Sequence, residues 1–405
     1  MLIRTIKKCS KIIFVTIIIV LLAIIIISSV MLSPTYVYRI LNRWDSSVED
    51  YNFFSSALIS RSKIPYEYEY DLDASLENLI ITYRTTNNQE VSKTLTDFVV
   101  STDSTSFIIV KNDTVMYEQY ANGSSRDSMN TSFSMAKSMV SLLIGKAIED
   151  GYINSEYQVI SDFIPEFKGT DMEHITIKDL LTMRSGIQYE ETGFLWFRDD
   201  AYTYWLPDLR KLALNHRQLT DKYQGKFHYN NYHPLLLGII LERSTGSSVS
   251  EYFEQSLWWE IGSEYDASWS LDSDKTQFEK MESGLNFRSI DYIKLGSMLL
   301  NGGYWNNHQI INPSWIQTSV LVDFPINEDE YKGSFLEGMN IGYGYMWYSR
   351  PSISKGMDFW AWGKYNQIMY VSPENDIVIL RTGSTGGDVQ DFSKVLADIT
   401  ASIMK

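Results

Sequence analysis

Ser134-Met135-Ala136-Lys137-Ser138-Met139-Val140-Ser141-Leu142-Leu143-Ile144-Gly145-Lys146-Ala147 reads as the opening of a helix with an apolar face. Met135, Met139, Leu142, Leu143 and Ala147 recur at helical spacing after Ser134, and Gly151 closes the segment. Residues three apart on a helix share a face, which brings the Lys137 amine to the Ser134 hydroxyl. In the first turn, unsatisfied backbone N–H groups and the positive end of the helix dipole favour a developing oxyanion and disfavour a protonated amine. Burial works in the same direction, so a neutral amine there can accept the serine proton. The plainer alternative is a serine that caps a helix and a lysine that faces solvent.

The Ser-x-x-Lys spacing also occurs at Ser60/Lys63, Ser352/Lys355 and Ser402/Lys405. Pro65 follows the first, Gly356 follows the second and the third ends the sequence, so none of them opens a stable helix. A second chemical element is Tyr229-Asn230-Asn231, on the turn before a helix that is entered through Pro234 and ended near Gly246. A tyrosine beside a serine and a lysine can relay a proton to a leaving group, and an asparagine side chain can hold a substrate amide. The same residues also suit an aromatic packed on a helix and an Asn serving a turn.

Working outward, residues 107–110 and 114–120 read as strands around Lys111-Asn112-Asp113, a hairpin turn. Residues 367–371 and 377–382 flank Ser372-Pro373-Glu374-Asn375-Asp376 in the same way, and Val389, Phe392, Val395, Leu396, Ile399 and Ile403 mark a C-terminal helix. Strands at both ends with helical patterns between them imply an α/β (α+β) fold: one antiparallel sheet built from both chain ends, with a helical domain inserted at about 138–350.

From Ile12 to Leu32 the chain is apolar and uncharged, and about 20 such residues span a bilayer as a helix. Arg4, Lys7, Lys8 and Lys11 precede the run, which places the N-terminus in the cytoplasm and everything after about Ser33 outside. A cleaved signal is the alternative, but its apolar region is shorter and is followed by a small-x-small site that Ser28, Ser29 and Ser33 imitate poorly. The expected organisation is a basic tail at 1–11, an anchor at 12–32, a juxtamembrane stalk at 33–85 and a catalytic domain at 86–405. A net charge of −15 makes nucleic acid an unsuitable partner. The single cysteine, Cys9, excludes an internal disulfide framework and a cysteine zinc site.

Ser134-Met135-Ala136-Lys137, then Thr176-Ile177-Lys178-Asp179-Leu180-Leu181-Thr182-Met183-Arg184-Ser185-Gly186, then Tyr229-Asn230-Asn231, stand in the order of the class C β-lactamase-related family. Gly302-Gly303-Tyr304-Trp305 and Phe359-Trp360-Ala361-Trp362-Gly363-Lys364-Tyr365-Asn366-Gln367 continue it, and the chain most resembles the nylon-oligomer hydrolase and esterase branch. The likeness spans roughly 107–404. It implies a β-lactamase/transpeptidase-like fold, Ser134 as nucleophile, Lys137 as base, Tyr229 as proton relay, Asn231 as a substrate contact, and no metal or cofactor. The family's Lys-Thr-Gly element departs. Arg381-Thr382-Gly383 comes too late, after the hairpin, whereas Ala361-Trp362-Gly363 is the expected counterpart and places the Lys364 backbone N–H beside that of Ser134 as an oxyanion donor. A second register aligns Lys364-Tyr365-Asn366 and makes the Lys364 side chain a carboxylate binder.

Rival chemistries lack their motifs. None of His174, His216, His228, His233 and His308 belongs to a His-Glu-x-x-His, and no Gly-x-Ser-x-Gly elbow occurs. His228 is a neighbour of Tyr229 that suits packing better than catalysis. The aromatic run of Trp196, Phe197, Tyr202, Tyr204 and Trp205 suits a cleft wall and a core equally well. The expectation is a membrane-anchored serine hydrolase that acts on an amide or ester bond of a small molecule or peptide. The competing reading is a catalytically silent receptor of the same fold.

Overall fold

The computed structural model describes residues 2–193, 196–216, 218–321, 336–339, 341–352 and 356–404. Lys355 and Lys405, from two of the alternative Ser-x-x-Lys pairs, lie outside the described residues. The main sheet takes β1 (Glu69–Tyr70), β2 (Ser104–Lys111) and β3 (Thr114–Tyr120) from the first third of the chain. Its other strands are β4 (Gly342–Tyr343), β5 (Tyr348–Pro351), β6 (Met357–Gly363), β7 (Gln367–Ser372) and β8 (Ile377–Gly383). The spatial order is β4-β5-β6-β7-β8-β2-β3-β1, antiparallel apart from β1 against β3. The two ends of the chain meet at the β8–β2 seam, where Ile379 lies opposite Ile109 and Arg381 opposite Phe107. Both seam strands are largely buried, which is why they read as continuous apolar runs rather than alternating ones. In the β2–β3 turn Asn112 and Asp113 take φ of 50° and 57°, values that Asn and Asp tolerate in a tight hairpin.

The longer helices are α1 (Leu2–Met31), α2 (Pro34–Arg43), α3 (Met135–Glu149), α4 (Tyr232–Thr245), α5 (Ser289–Leu300) and α6 (Phe392–Ile403), of which α3, α5 and α6 pack on this sheet. The helix that begins at Ser134, α3, packs against α4 and β6. Gly145 lets Trp315 approach so closely that a Cβ there would lie 2.3 Å from its indole, and the indole N–H donates to the Ser141 carbonyl at 3.1 Å. α5 lies on one face of the sheet, where Gly296 meets Val378. Arg381 is three residues along β8 and so on the opposite face, under Phe392 of α6. The segment between β3 and β4 also contains a second sheet, so the insertion is not purely helical.

Residues 33–85 are not a free stalk. Ser33 caps α2 by accepting from the Tyr36 N–H at 2.9 Å, and Pro34 occupies the first turn, where its missing donor costs nothing. Tyr36, Val37 and Ile40 are buried against Phe54, Ala201 and Trp205. Residues Ser56–Ile59 pair with Ala267–Ser270 in the second sheet, and the expected boundary at residue 85 falls inside a hairpin of Ile80–Arg84 with Glu90–Thr94. A ten-residue amphipathic helix and short edge strands owe their stability to tertiary partners, which local periodicity does not reveal. Between Ser10 and Met31, α1 is long and apolar enough to cross a membrane, and Leu32 and Ser33 alone separate it from α2.

Candidate active site

Ser134 sits at the junction of a short strand and α3. Asn130–Thr131 pairs with Leu285–Phe287, the Ser132 N–H donates to the Leu285 carbonyl at 2.8 Å, and Phe133 then takes φ of 44°. A non-glycine residue in that region stores strain on the order of 1–3 kcal/mol, tolerated where surrounding contacts over-determine it. Here Phe133 is buried and meets the Tyr365 ring edge-on at 5.4 Å. The turn presents Ser134 at the helix start, yet its hydroxyl makes no capping bond. It takes the Lys137 amine at 2.9 Å instead. Lys137 is 2% exposed, also donates to the Glu282 carbonyl at 3.0 Å, and lies 4.8 Å from the centre of the Tyr229 ring. Its partners are dipoles: a hydroxyl, a carbonyl and a π face.

Gly363, at the end of β6, lies against this turn so tightly that a Cβ would come within 2.3 Å of the Ser132 carbonyl and 3.0 Å of the Ser134 nitrogen. The chain then turns through Lys364, Tyr365 and Asn366, the last two with φ of 61° and 56°. Arg381, in the string set aside at the sequence level, braces that turn. Its buried guanidinium donates to the carbonyls of Tyr365, Asn366 (3.0 Å), Thr102 (2.7 Å) and Thr385 (3.1 Å). Burial pushes its pKa down to about 9. An arginine directly after the apolar run Ile377-Val378-Ile379-Leu380, on the same strand, was the available sequence signal, because a buried cation needs a full set of acceptors.

Of the expected site residues, Ser134, Lys137, Tyr229, Gly363 and Lys364 converge. Asn231 lines the adjoining cavity. Its amide donates to the Tyr189 hydroxyl at 2.9 Å and to Thr203 at 3.2 Å, while its side-chain oxygen is buried and takes no hydrogen bond among the described residues. Two cavities flank Ser134. One, of about 370 Å³, is walled by Trp44, Asp45, Trp196, Tyr204, Trp205 and Asn231; the other, of about 440 Å³, by Glu191, Tyr229, Tyr348 and Trp362. Ser134 and Lys364 belong to both. The aromatic run therefore divides its work: Trp196, Tyr204 and Trp205 wall the cleft, whereas Tyr202 packs on Tyr36 with ring centres 5.9 Å apart. Burial raises the pKa values of Glu191 and Asp200.

The Lys364 side chain points to the N-terminal segment. Its ammonium holds the Asp45 carboxylate at 2.7 Å and the Ser46 hydroxyl at 2.8 Å, and the Tyr365 hydroxyl donates to the Ser46 carbonyl at 2.7 Å. Burial works to raise the Asp45 pKa, but Lys364 and the Ser46 hydrogen bonds together outweigh it and hold the carboxyl below its ordinary range. Asp45 and Ser46 were not legible as site residues. The histidines are structural: His228 stacks on Tyr223 at 3.6 Å and bonds the Tyr189 carbonyl, while His233 bonds Ser185. Burial, with the nearby His228 and Lys137, lowers the His233 pKa to about 3.

A serine–lysine pair at a helix start, beneath a sheet made from both chain ends, defines a serine-hydrolase-type enzyme of the β-lactamase/transpeptidase-like fold. Residues 92–263 match the family model described as Beta-lactamase. It is similar to a 6-aminohexanoate-dimer hydrolase of Paenarthrobacter ureafaciens, with 24% identity over 318 residues, 73% of this chain and 74% of the relative. A Bacillus anthracis structure assigned as a 6-aminohexanoate-dimer hydrolase superposes with a TM-score of 0.74 at 22% identity, covering 89% of this chain and 93% of its own. A class C β-lactamase of Rhodobacter sphaeroides gives a TM-score of 0.56 at 13% identity, over 76% of this chain and 98% of its own.

Proposed function

We propose that the chain is a membrane-anchored, extracytoplasmic serine hydrolase that opens an amide or ester bond through an acyl-enzyme. The observation that carries this reading is the 2.9 Å contact between Lys137 Nζ and Ser134 Oγ, made by a buried amine. In the neutral amine, the nitrogen lone pair takes the Ser134 proton as Oγ bonds to the substrate carbonyl carbon and the carbonyl electrons move to oxygen. The backbone N–H groups of Ser134 and Lys364, beside Gly363, receive that oxyanion. When the carbonyl re-forms, the bond to the leaving nitrogen or oxygen breaks. Tyr229 gives the leaving group a proton and regains one from Lys137. Water then attacks the ester, passes its proton to the same base, and Ser134 departs with its proton restored. Asn231 is assigned the contact with a substrate amide, a role supported by its place on the wall of the cavity of about 370 Å³. The cavities on either side of Ser134 suit a substrate with an acyl arm and a leaving arm, and the name of the Paenarthrobacter relative supports an amide.

The membrane part of the reading rests on the apolar helix at Ser10–Met31 and the four cations before residue 12. A reporter fused after Lys405 is expected to be active outside the cytoplasm, and extraction is expected to need detergent. Cytoplasmic reporter activity, or a mature soluble chain starting near Ser33, would overturn the anchor. For the chemistry, a fluorophosphonate probe is expected to label the full-length protein once, on Ser134, and S134A to lose both label and turnover. A folded wild type that no such probe labels, or a label on another serine, would leave the silent receptor as the function.

A further inference from the structure

An ammonium beside a nucleophile ordinarily offers a place for a substrate carboxylate, and Lys364 lines both cavities that flank Ser134. Its charge is already met within the chain by Asp45 at 2.7 Å, with Ser46 as a second partner. The other cation of these walls, Arg198, is paired with Asp200 at 3.0 Å. Deeper in, Lys280 is paired with Glu282 at 3.1 Å. A carboxylate against these walls thus meets Lys364 and Arg198 already matched, along with the carboxylates of Asp45, Asp200 and Glu191.

The segment that supplies Asp45 is held firmly. Trp44 ends α2 with its N–H on the Ile40 carbonyl at 2.7 Å. Arg39 of the same helix donates to the Trp205 carbonyl at 2.9 Å. On the far side, Asp50 pairs with Arg43 at 3.3 Å and accepts from the Tyr204 hydroxyl at 2.8 Å. The strap is therefore clamped to the catalytic domain before and after Asp45, with the Tyr365–Ser46 bond closing it onto the turn that follows Gly363.

We infer that residues 44–46 are a specificity element of the active site, and that Asp45 occupies the carboxylate position at Lys364 so that the enzyme selects substrates with no free carboxylate near the reacting carbonyl. The inference rests on the Ser134 hydrolase reading. It differs from a purely structural role for the strap because it assigns the selection to a charge: D45N keeps the shape of the side chain and releases the Lys364 ammonium. Asp45 has a side chain 69% exposed, so this substitution leaves the core untouched.

The test compares p-nitrophenyl valerate with mono-p-nitrophenyl glutarate, acyl chains that differ by a terminal methyl against a carboxylate, on the full-length protein in detergent. Wild type is expected to favour the valerate. D45N is expected to raise kcat/KM for the glutarate relative to the valerate by about tenfold, chiefly through KM, since a difference of about 1.4 kcal/mol in binding is tenfold. The double variant D45N/K364M is expected to lose that gain. An unchanged ratio in D45N, or a gain that survives K364M, would overturn the inference. Fluorophosphonate labelling of each variant keeps the two readings apart: labelled protein with an unmoved ratio sinks the strap alone, whereas unlabelled wild type sinks the hydrolase and the strap with it.

Discussion

The inner wall of the site and its outer rim are built by different means. Ser134 and Lys137 come from one turn of one helix, with Tyr229 set beneath the amine, and Lys137 is almost wholly buried. The rim joins Lys364 to Asp45, from opposite ends of the chain, through a contact in which both side chains remain substantially exposed. The inner wall is fixed by local chemistry and holds its groups in a low-dielectric setting, where a hydrogen bond is strong and a misplaced one is costly. The rim is screened by solvent and adds little to stability, so it is free to vary with what the enzyme must accept or refuse.

That contrast can be broken by substitution. K137A removes the proposed base and is expected to lower the acylation rate by about 10²–10⁴-fold, measured as the burst rate with an activated ester. G363A places a Cβ against the Ser132 carbonyl and the Ser134 nitrogen, which have to move. The displaced oxyanion donors are expected to cost about 10²–10³ in kcat, with KM less affected. K364A retains the backbone N–H and touches only the rim, so its effect on acylation of a neutral ester is expected to stay within about tenfold, roughly what one ordinary hydrogen bond is worth. Parity between K364A and K137A would move the Lys364 side chain from the rim to the reaction and reverse the comparison.

The smallest expected effect tests the support behind the inner wall. His233 is held neutral with a pKa near 3, against an unfolded value of about 6.5. Between those values the unfolded chain binds the additional proton, so this contribution to stability is complete above about pH 6.5 and is lost as the pH falls towards 3. The slope is at most about 1.4 kcal/mol per pH unit. H233Q is expected to flatten the fall in urea midpoint over this range while leaving fluorophosphonate labelling at neutral pH in place. An unchanged acid limb in H233Q would show that other groups govern it.

The same division separates what was legible in the sequence from what was not. The helix at Ser134, the Asn112-Asp113 hairpin and the helix closed by Gly246 were readable because periodicity, turn residues and caps act within a few positions. The plainer alternative for Ser134, a capping serine, is not what the structure shows, because the hydroxyl takes the Lys137 amine rather than a backbone N–H. Residues 33–85 were misread because α2 buries its apolar face on Trp205 and Ala201, far along the chain, and Ser56–Ile59 is too short to declare itself. The Lys364 backbone could be placed from its neighbours in sequence. Where its ammonium goes depends on Asp45, and no motif connects the two.

The β8–β2 seam also sets when the enzyme can exist. Ser134 leaves the ribosome long before Gly363, and at about 5–20 residues per second the roughly 230 residues between them take on the order of 10–50 s to make. Throughout that interval β2 lacks the neighbour that β8 later supplies, and its unpaired edge is a template for the wrong strand. A nascent chain therefore carries the proposed nucleophile without the turn proposed to complete the oxyanion site, and is expected to stay inert until the last strands arrive. Truncation ahead of Gly363 removes that turn and exposes the β2 edge together, so such fragments are expected to appear as aggregates rather than as weak enzymes.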